Sequence, residues 1–221
     1  MSEPGGLPLA LTLGEPAGIG PELTIRIWRR RRELRLPPFY LVGDPDFVRD
    51  RARQLGSEIA LSTVTPAQAA DVFPRALPVV PLQMPVTAAT GKPDESSAPA
   101  AIASIRRAVS DVLAGQAAGI VTNPVAKNVL YRSGFAEPGH TEFLAKLVEE
   151  ATGKASRPVM MLWSTELAVV PVTIHLPLKD VVSRLTFELV VETGRITARD
   201  LTKRFGIMRP RLAVAGLNPH A

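Results

Sequence analysis

Short apolar runs alternate with helical stretches along almost the whole chain, and that alternation leaves few folds open. Runs at 7–13, 39–42, 58–62, 78–81, 119–122, 159–163, 168–174 and 212–217 read as strands. Several are continuously apolar, which suits strands covered on both faces. Between them lie stretches with helical spacing, at 21–32, 46–55, 99–114, 142–151 and 188–205. Strand–helix alternation of this kind predicts an α/β fold built on a mainly parallel sheet. Gly206, next after the last helical stretch, suits the left-handed position that closes a helix.

The least regular stretch is 83–99, where Pro85, Gly91, Pro93 and Pro99 stand among small polar residues. It reads as a long loop or a crossover between subdomains. A boundary near 122–127 divides the chain into an N-terminal α/β domain, 1–124, with a glycine-rich loop, and a second domain, 125–221. The run at 212–217 leads straight into Asn218-Pro219-His220-Ala221, where the sequence stops. Open α/β sheets place their ligands at such strand ends, so the second domain reads as incomplete and the chain as truncated.

Composition narrows the partners. The chain has no cysteine, which excludes disulfides, thiolate zinc sites and cysteine nucleophiles. It opens without a secretory pattern, and its apolar runs are too short to span a bilayer. A cytoplasmic protein with no membrane partner is expected. The net charge of +5 rests partly on Arg29, Arg30, Arg31, Arg32 and Arg35. These close a helical stretch, where cations complement the dipole, and a solvated face is the reading. No aromatic residues interleave with them as base-stacking platforms, so no nucleic-acid partner is expected. A modest basic excess also suits an enzyme for an anionic substrate.

Chemistry concentrates in a few loops. The first strand opens into Gly14-Glu15-Pro16-Ala17-Gly18-Ile19-Gly20-Pro21-Glu22. Its glycines allow close backbone approach, and a glycine-rich turn into a helix can cradle an anion. The spacing is neither that of a Walker loop nor of a dinucleotide fingerprint, so a tight structural turn and a binding loop both stay open. After the run at 119–122 comes Asn123-Pro124-Val125-Ala126-Lys127. Lys127 reads either as a solvated lysine opening a helix or as a group meeting an anion.

The three histidines are His140, His175 and His220. Imidazole suits both metal coordination and proton exchange near neutral pH. His140 lies in Gly-His-Thr-Glu, ahead of an apolar-periodic helix that Thr141 is placed to cap and whose first turn Glu142 suits. His140 itself would stand beside a helix N-terminus, a natural seat for an anion. His175 closes an apolar run just before Pro177, and His220 ends another. Two histidines at strand exits of one sheet can share an ion, or each can bond to backbone.

Taken together and in order, Gly-Glu-Pro-Ala-Gly-Ile-Gly-Pro-Glu, Leu41-Val-Gly-Asp44, Thr122-Asn-Pro-x-x-Lys127, Gly-His-Thr-Glu-Phe-Leu, Thr173-Ile-His-Leu-Pro-Leu and Gly216-Leu-Asn-Pro-His-Ala resemble the 4-hydroxythreonine-4-phosphate dehydrogenase family of vitamin B6 synthesis. The opening loop departs mildly, with Glu15 where that family more often has Asp.

The resemblance implies a two-domain α/β fold like that of isocitrate and isopropylmalate dehydrogenases, with its C-terminal part missing here. It implies a homodimer with the active site between subunits. Oxidation of 4-phosphooxy-L-threonine at C3 with NAD or NADP, followed by loss of carbon dioxide, is the implied reaction. The substrate contacts it implies are His140 and Thr141. His175 and His220 are two of three implied ligands to a divalent cation (Zn, Mg or Co), the third lying in the family's C-terminal region. Two alternatives stand beside this: a related phosphorylated sugar acid as substrate (4-phospho-D-threonate or D-erythronate), or a non-catalytic remnant that binds phosphate or a partner.

Overall fold

The computed structural model describes residues 6–218 apart from 136 and 138. His220 lies outside the described residues. The chain forms two compact units, one running to Ser156 and one from Arg157.

In the first unit, β1 (Leu9–Thr12), β2 (Phe39–Gly43), β3 (Leu61–Thr63), β4 (Leu77–Pro81) and β5 (Gly119–Val121) form one sheet in the order β3-β4-β2-β1-β5. All four pairings are parallel. Residues along each strand alternate between two cores, as the strand period of two requires. Leu11, Phe39, Leu41 and Val79 join one cluster, while Ala10, Tyr40, Val42 and Val80 join the other. Burial on both faces is what the continuous apolar runs predict. The short edge strands β3 and β5 are exceptions, each paired on one side among the described residues; Val121 of β5 is 44% exposed.

The helices of this unit are α1 (Gly20–Arg29), α2 (Pro45–Gln54), α3 (Ala69–Val72), α4 (Ala98–Leu113), α5 (Lys127–Arg132) and α6 (His140–Thr152). Trp28 of α1 and Phe47 and Val48 of α2 pack on one face of the sheet; Ala69 of α3 and Ala108 of α4 pack on the other. Asp44 caps α2 by accepting from Asp46 N and Phe47 N, and Pro45 fills the first position. Ser104 of α4 spans two strand ends, accepting from Leu13 N at 2.8 Å and donating to Val42 O at 2.7 Å.

Arg29, Arg30, Arg32 and Arg35 are exposed, as a solvated face requires, and Arg31 departs from that reading. α1 ends at Arg29, and the guanidinium of Arg31 stacks 3.9 Å above the Trp28 ring while donating to Trp28 O and Pro74 O. Arg31 therefore pins the turn after α1 to the end of α3. Its neighbours Arg29 and Arg30 bond to Ser57 and Glu33 at the surface.

The second unit holds β6 (Leu162–Trp163), β7 (Ala168–Val169), α7 (Leu178–Arg184) and α8 (Phe187–Phe205). β6 and β7 form a short antiparallel ribbon, and Arg157 pairs with Glu192 of α8. Thr186 caps α8 by accepting from Leu189 N, and Gly206 closes it with φ 69°. The runs at 168–174 and 212–217 are not full strands. Pro171 interrupts the first and has no N–H to give a ladder. The second meets no neighbouring strand among the described residues, and Leu212, Val214 and Leu217 are exposed. No described helix is long and apolar enough to cross a membrane.

Candidate functional site

The strand order reverses at β1. From β1 the chain steps to β2 on one side, and later returns to place β5 on the other. Doubly wound sheets bind ligands beyond the carboxyl ends of the strands at such a point. Here that point is filled by protein. Asn123, 7% exposed, donates through Nδ2 to Thr12 O at 2.8 Å and to Thr24 Oγ1 at 2.9 Å. Glu15 N donates to Pro124 O at 2.8 Å. Gly14 has φ 70°, and a Cβ there would lie 2.6 Å from Pro124 O; one on Gly20 would lie 2.9 Å from Leu13 O. These glycines serve close packing of two loops, which favours the structural-turn reading of the motif.

The open cleft lies further along the second of those loops. Beyond Pro124, Val125 and Lys127 form one wall, and Ile105, Leu130, Tyr131, Phe135, Glu137, Gly139 and His140 complete its lining. Lys127 opens α5 and His140 opens α6, so both stand where helix amides point outward. Phe135 meets Phe143 edge-on at 4.8 Å between ring centres, which braces the start of α6 from below. Glu137 is tied to Lys146 at 2.6 Å.

α6 begins two residues earlier than the sequence signal predicts. Gly139, extended at φ −167°, is its N-cap and offers no side-chain oxygen; Thr141 is the second helical residue, half-buried, and does not cap. No N-cap side chain bonds the first-turn amides of this thirteen-residue helix, and the Glu142 carboxylate folds back close to Gly139. His140 Nε2 is buried with no hydrogen-bond partner. Its pKa is held below the ordinary imidazole value, first by burial and then by the nearby Lys127 ammonium. A neutral imidazole, a lysine cation and uncapped helix amides converge on one apolar-walled space. That arrangement can hold an anion and supply a neutral nitrogen to it.

His140 and Thr141 sit together at the head of α6. His175 lies on an exposed turn just before α7, with the left-handed φ of 55°, not at a strand exit. Among the described residues no three His, Asp or Glu side chains come together as a metal site. The sequence reading passed over Tyr131, Phe135 and Glu137, which line the cleft. An aromatic residue eight positions before an apolar helical residue, as Phe135 is to Phe143, carries no periodic signal.

The chain matches the family model described as pyridoxal phosphate biosynthetic protein PdxA over residues 35–221. It is 58% identical to a 4-hydroxythreonine-4-phosphate dehydrogenase of Bradyrhizobium diazoefficiens, across 100% of this chain and 66% of that protein. It is 54% identical to one from Xanthobacter autotrophicus, across 97% of this chain and 61% of that one. Among solved structures, a 4-hydroxythreonine-4-phosphate dehydrogenase from Burkholderia phymatum superposes with a TM-score of 0.83 at 26% identity, over 97% of this chain and 64% of the other. A terephthalate 1,2-cis-dihydrodiol dehydrogenase from Burkholderia xenovorans superposes with a TM-score of 0.67 at 25% identity, over 97% of this chain and 63% of the other. The chain therefore spans a little under two thirds of the length of these proteins. With a family model matched over most of its length and a parallel α/β sheet shared with solved relatives, the chain belongs to the PdxA family of pyridoxal phosphate biosynthetic proteins.

Proposed function

We propose that this chain provides the larger part of a 4-hydroxythreonine-4-phosphate dehydrogenase. The enzyme would oxidise 4-phosphooxy-L-threonine at C3 with NAD or NADP and release carbon dioxide, giving 3-amino-2-oxopropyl phosphate for pyridoxine 5′-phosphate synthesis in the cytoplasm. Family membership and the names of the similar proteins support the reaction. One observation carries the reading at the level of residues: the unpartnered His140 Nε2 beside Lys127 at the uncapped head of α6. A phosphorylated substrate seated there would meet helix amides, the Lys127 ammonium and the Thr141 hydroxyl, and would give His140 the partner it lacks.

His175 and His220 are the proposed protein ligands for a divalent cation (Zn, Mg or Co), with a third ligand required. When bound, the cation supplies stabilisation of negative oxygen and the nicotinamide accepts the hydride. The described residues offer only the exposed His175 from this set. What this chain's own residues do is bind and orient. Lys127 and the α6 amides fix the anionic end, while the apolar walls of Ile105, Leu130 and Phe135 exclude water around it.

The proposed second domain, 125–221, would carry substrate, metal and dimer contacts in an isocitrate dehydrogenase-like arrangement. Support for a homodimer comes from the exposed apolar surface between Arg157 and Asn218: Trp163 is 62% exposed, Leu178 85%, Val182 73% and Phe187 77%. Surface of this kind marks association. A phosphorylated sugar acid is the second reading of the substrate, and the likeness to a dihydrodiol dehydrogenase favours keeping it, since that protein is named for a different substrate on the same fold.

The test has two arms. Titrating the isotope-labelled chain with 4-phosphooxy-L-threonine should shift the His140 ring resonances and raise its pKa; an unmoved His140 overturns the anion seat. Turnover of that substrate and of 4-phospho-D-threonate is then read as NAD(P)H absorbance, for this chain and for a version extended at its C-terminus. Activity on the sugar acid alone replaces the substrate. Silence from both versions leaves the phosphate-binding remnant. Metal content of the extended His175→Asn and His220→Asn variants should fall; full retention by both removes the ligand assignment.

A further inference from the structure

After β4 the chain loses its grip on the rest of the unit. Val86 is 9% exposed and packs in the core, and Ser97 is 2% exposed. Between them every residue is exposed except the half-buried Ala88. Ala88 packs against the core, and three polar contacts join the span to the rest of the unit: Gly91 N donates to Ala17 O at 2.8 Å, Thr90 Oγ1 donates to Gln54 Oε1 at 3.0 Å, and Glu95 pairs loosely with Arg132 at 3.7 Å. The last two are surface contacts between exposed side chains, which contribute little. Of the polar contacts, the backbone bond from Gly91 to Ala17 is the one that reaches a buried residue.

Ala17 is 2% exposed, and it is bonded on both sides. Its N–H donates to Glu15 Oε1 at 3.0 Å, while its carbonyl accepts from Gly91. Glu15 is 4% exposed, and its Oε2 has no partner. Beside it Arg51, 2% exposed, donates Nη2 to Pro16 O at 3.0 Å and keeps Nη1 without a partner. Two charged side chains are thus buried against one loop, each with an unsatisfied polar atom, at a cost of roughly 1–3 kcal/mol or more apiece. A segment with little apolar burial is drawn from the low end of local stability.

We propose that residues 87–94 form a lid latched to the glycine-rich loop by the Gly91–Ala17 hydrogen bond, and that its opening controls access to the Glu15 carboxylate at the reversal point of the sheet. The lid hinges at Pro85–Val86 and at the turn 95–97, where the buried anchors lie. It is independent of the anion seat at His140 and stands or falls by itself.

Hydrogen exchange of the intact chain tests it. The Gly91 and Ala17 amides should report one opening, with protection factors agreeing to within roughly threefold, while Leu11 and Val80 exchange roughly a hundredfold more slowly. Gly91→Ala meets open space but disfavours the left-handed φ of 74° that the latched loop adopts. It should speed exchange at Ala17 by roughly tenfold, and speed carbodiimide coupling of Glu15, read by mass spectrometry, in proportion. Ala17 exchange or Glu15 coupling that does not respond to Gly91→Ala overturns the proposal. In the unaltered chain, an Ala17 amide as protected as Leu11 does the same without any variant.

Discussion

Asn123 holds Thr12 twice: its side-chain Nδ2 donates to the Thr12 carbonyl at 2.8 Å, and its backbone N–H donates to Thr12 Oγ1 at 3.1 Å. A further bond to Thr24 Oγ1 brings α1 into the same knot, and all three residues are buried. Asn123→Ala strips the donor from two buried oxygens and should cost about 2–4 kcal/mol. Asn123→Asp should cost more, because a carboxylate can only accept and would face the Thr12 carbonyl. Urea unfolding with an unchanged slope measures both. A loss for Asn123→Ala of under about 1 kcal/mol would show that the knot is not what joins β1 to β5.

Glycines 14 and 115 share a left-handed backbone, with φ 70° and 69°. Their surroundings differ: a Cβ on Gly14 lies 2.6 Å from Pro124 O, while Gly115 has open space. Gly115→Ala should cost about 1 kcal/mol, for conformation alone. Gly14→Ala adds a backbone clash and should cost about 3 kcal/mol or more. Equal losses in thermal unfolding would mean that close approach at Gly14 is unimportant.

The sheet, its parallel sense and the helices α1, α2, α4, α6 and α8 were legible because their signals are local. Asp44-Pro45 announces a cap, Gly206 an end, and the run 39–42 a strand covered on both sides. What the sequence concealed was decided by distant partners. The run 212–217 has strand composition but no neighbour to pair with among the described residues. Arg31 looked like a solvated cation because Pro74, which accepts from its guanidinium, is distant in sequence and holds it over the nearby Trp28 ring. At the site, the Gly-His-Thr-Glu motif gave the head of α6, while the cleft walls from Tyr131, Phe135 and Glu137 carried no pattern of their own. The glycine-rich motif was readable as a tight turn, but its target, Asn123, was not.

Tyr40, fully buried on β2, donates its phenol to Asp111 Oδ2 at 2.8 Å, and Arg107 Nε donates to the other carboxylate oxygen at 2.8 Å. Burial, and then the Asp111 carboxylate, push the phenol far above its ordinary pKa, so it stays protonated as a donor. Tyr40→Phe keeps the ring in the core and leaves a buried carboxylate oxygen short of one bond. The expected loss is about 1.5–3 kcal/mol, the range for bonds to charged groups. Arg107→Gln should cost less, because the Arg107 side chain is 38% exposed and its pairing is screened by water. The reverse order in chemical unfolding would place the weight of this network on the ion pair.

The pH response of His140 follows from its burial and from Lys127. Its folded pKa lies below the ordinary 6.5, so the unfolded chain takes up this proton first as pH falls. The contribution of His140 to stability is then complete above about 6.5 and declines as pH drops from there toward the folded value. Lys127→Met removes the second of the two causes, so the His140 pKa should rise toward 6.5 while burial still holds it below. The same variant should weaken binding of a phosphate monoester, because the cation that depresses His140 is the one offered to the anion. Ring-proton titration of His140, with and without phosphate ester, reads both effects in one experiment. A Lys127→Met chain whose His140 titrates unchanged, yet binds the ester as before, would separate Lys127 from the cleft altogether.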